Sequence, residues 1–140
     1  MMAMHKFCLR NLGGNSLIVN LDSVLLNIQD NDFFWSILDF DGIGPFPNEM
    51  PIDEFCKKVL NQDHGFLFSW QELVIFSKII YDCYNCIIVA VKNLEDLDRI
   101  KITNNNYENC MLVLELFDST YWNINIKNNS FVKDIEWKLR

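Results

Sequence analysis

Basic charge is in short supply in this sequence. Twelve Lys and Arg stand against nineteen Asp and Glu, for a formal net charge of −7 and an isoelectric point near 4.7. Phosphate binding needs clustered Lys and Arg, so neither nucleic acid nor an anionic membrane surface is an expected partner. Histidine is scarcer still, with only His5 and His64. With three prolines and five glycines there is no Pro/Gly-rich linker, and no repeat or long charge run divides the chain. Residues 1–140 therefore read as a single domain. Apolar runs such as Cys86 to Val91 have the length of a strand, not of a membrane span. Met1 to Arg10 carries no apolar run of signal-peptide length, and the five cysteines are an odd number. Together these predict reduced thiols and a cytoplasmic location.

What is present is core material. Half of the residues are hydrophobic and 14% are aromatic. A chain of this length buries roughly 68–70% of its unfolded surface, so neither a disulfide nor a metal is needed to hold it together.

The pattern predicts a sheet with helices packed on it. Residues 4–10 suit a first strand and 17–19 a second extended piece. Asn20 suits the N-cap of a helix over 21–29. Phe33 to Phe40 is apolar on both faces, as in an interior strand, and the glycines and prolines of 42–47 should end it in a loop. Pro51 opens a second helix in which Ile52, Phe55, Cys56, Val59 and Leu60 form one apolar stripe, closed by Asn61 to Gly65. Ser69-Trp70-Gln71-Glu72 is a capping box and begins a helix over 70–83. Cys86 to Val91 reads as a central strand. Asn93 caps a short helix with Leu94, Leu97 and Ile100 inward, and 103–109 is loop. Met111 to Phe117 and Tyr121 to Lys127 form an antiparallel pair around Asp118-Ser119-Thr120, with Tyr121, Asn123 and Asn125 on a wet face. The tail 129–140 fits a helix or a strand, with a lean to helix. The expected class is α+β, an α/β sandwich whose mixed, partly antiparallel sheet has four to five strands.

Catalytic chemistry finds little support. His64 sits in a turn without convergent partners and reads as a solvated loop residue, and His5 lies at a terminus expected to be mobile. Cys83-Tyr84-Asn85-Cys86 is a C-x-x-C, but it falls where a helix closes and a strand begins. That is the reverse of a redox motif, so two structural thiols are the plainer reading. Asp39 and Asp41 could approach a hard cation, yet no third ligand follows at calcium-loop spacing. Gly42-Ile43-Gly44-Pro45 lacks the helix start that a phosphate requires. The expectation is therefore no enzyme, no metal and no cofactor. A small hydrolase using Asp39, Asp41 and His64 ranks last.

The charge is unevenly spread. Between Asp22 and Glu72 ten carboxylates face only Lys57 and Lys58, so this stretch carries −8 while the rest is nearly balanced. Such a stretch is either a solvated face or a surface for a basic partner. On the second reading the contact residues are Asp39, Asp41, Glu49, Asp53, Asp63, Glu72 and Asp118, with Trp70 and Tyr121 as aromatic anchors.

Three stretches carry a family likeness: Trp35-Ser36-Ile37-Leu38-Asp39-Phe40-Asp41-Gly42-Ile43-Gly44, Phe68-Ser69-Trp70-Gln71-Glu72-Leu73 leading to Cys86-Ile87-Ile88-Val89-Ala90-Val91, and Glu115-Leu116-Phe117-Asp118-Ser119-Thr120-Tyr121-Trp122. In order and style they resemble small immunity proteins of bacterial toxin–immunity systems, especially those of contact-dependent growth inhibition. The resemblance covers about residues 33–126. It implies a cytoplasmic protein that binds and blocks a cognate toxin domain, commonly a nuclease at the C-terminus of a larger secreted protein. A self-associating structural or adaptor domain, a homodimer through the wet face near Tyr121, is the alternative.

Overall fold

A computed structural model of the chain describes residues 5–10 and 19–133. Among these, six strands form one sheet in the order β1-β6-β5-β4-β2-β3: β1 (His5–Arg10), β2 (Phe34–Ile43), β3 (Phe66–Phe68), β4 (Asp82–Val91), β5 (Leu112–Phe117) and β6 (Tyr121–Ile126). Every pairing is antiparallel. Four α-helices accompany the sheet: α1 (Leu21–Leu26), α2 (Ile52–Asn61), α3 (Trp70–Ile79) and α4 (Arg99–Thr103). The α+β class is as expected. The sheet has more strands than the four to five expected and no parallel pair.

The inner face carries the main core. Trp35, Ile37 and Phe40 of β2, Ile88 of β4, Leu114 of β5 and Trp122 of β6 all point to it, and α1, α2 and α3 cover it. Around Phe55 of α2 the rings of Phe40, Phe46, Phe66 and Phe76 pack at 4.6–5.7 Å between centroids. The capping box of α3 forms with both reciprocal bonds. In α2 only Phe55 and Val59 of the five-residue stripe are fully buried, because Ile52 and Leu60 fall on its open side.

Several boundaries differ from expectation. Helix α1 stops at Leu26, and Asn20 makes no side-chain cap. Strand β2 runs through Gly42 to Ile43, past the glycine expected to end it. A Cβ on Gly42 would lie 2.4 Å from the Asp82 carbonyl, so glycine here permits close approach of β4 and does not break the strand. The short β3 was not anticipated. It is set by Gly65, whose φ of +66° turns the chain and whose missing Cβ leaves room for Ile37 and Ser36. The Ser36 hydroxyl donates to the His64 carbonyl at the same turn.

Helix α3 ends at Ile79, and β4 already begins at Asp82. The C-x-x-C therefore lies wholly within a strand. A bulge at Tyr84 in the β2–β4 pairing returns Cys83 to the inner face beside Cys86. Ile100 is exposed in α4, and Ile102 takes the inward position. Asp118 and Ser119 both have left-handed φ, 49° and 56°, in a three-residue turn between β5 and β6 that the Thr120 amide closes on the Phe117 carbonyl at 2.8 Å. His5 is paired with Ile126 in β1 and does not dangle. The extended piece expected at 17–19 lies outside the described residues except Val19, as does the tail from 134. Within the tail, Asn129–Phe131 is a single 3-10 turn. Among the described residues no helix is long and apolar enough to cross a membrane.

Candidate functional site: the open half of the outer sheet face

Strand alternation and register fix what the outer face displays. Residues paired across antiparallel strands share a face. One row of paired residues across β2, β4, β5 and β6 follows Asp39, Ile87, Glu115 and Asn123. In the next row Asp41 pairs Asn85 in β4, and Phe117 pairs Tyr121 at the β5–β6 hairpin. Further along, Val89 and Val113 pair on the same face.

Half of this face is closed. The connection from β4 to β5 folds back over it and sets Leu97, Ile102 and Cys110 on Leu38, Val89, Val91 and Val113. Arg99 anchors that cover. Its guanidinium reaches around the free edge of β2 and donates to the carbonyls of Leu38 (2.8 Å), Val59 (2.6 Å) and Gln62 (2.9 Å). Two of these belong to the C-terminal turn of α2, where a cation also suits the helix dipole. The Tyr107 hydroxyl donates to Glu115 Oε1 at 2.6 Å and marks the rim of the cover. Burial and that carboxylate hold the Tyr107 phenol protonated, its pKa pushed well up.

The other half stays open, and it gathers four of the expected contact residues. Asp39 and Asp41 are exposed on β2, and among the described residues neither forms an ion pair. Across the face, Phe117 is 38% exposed and stacks on Tyr121 at 5.2 Å. The Asp118 amide donates to Asn85 Oδ1 at 2.9 Å, which ties the hairpin to β4. A fourth acid, Asp53, lies on α2, which covers the inner face. The Cys56 thiol donates to the Phe40 carbonyl at 3.7 Å, and its pKa is raised first by burial and then by the charges of Asp41, Asp39 and Asp53. Burial first, and those three charges after it, favour the neutral thiol.

The remaining expected residues lie elsewhere. Glu72 is committed to the capping box, its Oε1 accepting from the Ser69 amide at 2.8 Å. Asp63 is exposed beyond the far end of α2 from Asp53, and Glu49 sits on the 3-10 turn before that helix. Trp70 is not a surface anchor. It is 5% exposed, lies against Trp35 at 5.3 Å and donates its indole N–H to Asp30 at 3.1 Å. Phe117 and Asn85 were not anticipated. Alternation through Val113 and Glu115 puts Phe117 on the outer face, but nothing local says where the cover stops.

Other chemistry is thinly supplied. Burial and a hydrogen bond with Cys83 push the Cys86 thiol far up, so it stays protonated. Among the described residues no three His, Cys, Asp or Glu side chains are grouped to hold a metal ion. Neither a family model, nor a curated protein, nor a solved structure matches the chain.

Proposed function

We propose that this chain is an immunity protein, which binds a cognate toxin domain in the cytoplasm and blocks it through the open half of the outer sheet face. The observation that carries this reading is the pairing of uncompensated Asp39 and Asp41 with the exposed ring of Phe117 on one stiff surface. Residues two apart on a strand stand about 6.6 Å from one another, so the two charges form a short, fixed line. A basic groove that grips phosphate would accept such a line in place of its substrate. The net charge of −7 steers the encounter, and stacked aromatic area supplies the desolvated centre that holds it. Catalysis in this reading belongs to the toxin. The resemblance to immunity proteins supports the same conclusion.

Co-expression with the product of the open reading frame immediately upstream tests it. The expected result is a co-purifying complex whose association slows steeply with added salt. The double variant Asp39→Asn/Asp41→Asn should reduce the association rate at least about ten-fold at low salt. An upstream product that is not a toxin, with no complex at low salt, would end the reading.

A further inference from the structure

On the far side of the molecule, the helix layer carries a second unfilled surface. A groove of about 400 Å³ runs between α1 and α3. Leu26 and Ile75 on its banks are 67% and 60% exposed, the largest apolar exposures in these two helices. Among the described residues the charges lining it are Asp22, Asp30, Lys78 and Lys133. They sum to zero in a chain that otherwise carries strong negative charge. Among the described residues none of the four forms an ion pair.

Their order matters as much as their sum. Asp30 is bound to Trp70 at the start of α3, and Lys133 follows the bridge between Val132 and Ile28 at the same end. Lys78 lies near the end of α3, and Asp22 begins α1, which runs back alongside it. Each end thus holds one acid and one base, with Ile75 between them. A twofold axis through the middle of α3 would bring Lys78 against the Asp30 of a second copy, and Lys133 against its Asp22. The apolar banks would meet at the axis.

We infer that this chain forms a symmetric homodimer through the α1–α3 face. An acidic protein repels its own copies over most of its surface, so a self-association site must be locally neutral and self-complementary, and this face is both. The sheet surface described above stays free on each copy, so the inference stands or falls apart from the proposed function.

Light scattering across a concentration series tests it on the full chain. The expected mass rises from 16.5 kDa towards twice that value. Ile75→Asp, at an exposed position, should raise the dimer dissociation constant at least about ten-fold while the circular dichroism is unchanged. Lys133→Glu should weaken the dimer, and adding Asp22→Lys to it should restore association, which general destabilisation would not do. A monomer at every concentration overturns the inference. So does a dimer indifferent to Ile75→Asp and to the charge reversal but broken by Phe117→Asp, since that dimer would use the sheet face.

Discussion

The two halves of the outer sheet face are built from the same strands with the same alternation, yet one is core and the other is surface. At Val89 and Val113 the face is sealed by Leu97 and Ile102. Two rows further along, Asp41 and Phe117 face solvent. What separates them is the reach of one connection, pinned by Arg99 at one edge and by Tyr107 at the rim. A sheet face is therefore not inherently a site or a core. Coverage decides, and the residue types along the strands are matched to it.

The sharpest way to break this contrast is to hollow the covered half. Leu97→Ala should cost about 2–4 kcal/mol in chemical denaturation, as a buried leucine leaving a cavity does. Phe117→Ala, in the open half, should cost no more than about 1 kcal/mol. Equal losses would mean that the open half is packed as tightly as the closed one. Removing the anchor comes next. Arg99→Met should cost about 2 kcal/mol, because three backbone carbonyls lose a charged donor. Hydrogen exchange should then quicken over 94–103 before it does in β5.

Alkali separates the halves by another route. Burial pushes the Cys110 thiol, under the cover, up to about 11. A thiol in the unfolded chain titrates near 8.5, so the stability from keeping Cys110 neutral is complete below that pH. It is lost as pH rises towards 11, because the unfolded state releases the proton first. Denaturation midpoints should fall over that window, and Cys110→Ala should flatten the decline. Tyr107, also raised, extends the loss to higher pH.

The smallest effects belong to the open half. Asp39→Asn/Asp41→Asn should leave the unfolding free energy within about 0.5 kcal/mol of the parent, since among the described residues neither carboxylate forms an ion pair. A loss above about 2 kcal/mol would mean that these groups serve the fold.

Local chemistry determined a good deal by itself. The capping box at Ser69 placed the start of α3, and alternation through Trp122, Ile124 and Ile126 placed β6 and its inner face. Acids concentrated in 22–72 set the sign of the surface. These are legible because each depends on neighbours within a few residues. Tertiary structure decided the rest. Gly42 reads as a breaker until β4 lies against it, and Trp70 reads as a surface anchor until Trp35 and Asp30 enclose it. Asp39, Asp41, Asp118 and Tyr121 came to one face, while Glu49, Asp53, Asp63 and Glu72 did not, because strand register and the path of one connection act between residues far apart in the chain. Periodicity records which side of an element is apolar; it holds no record of which other element comes to lie on it.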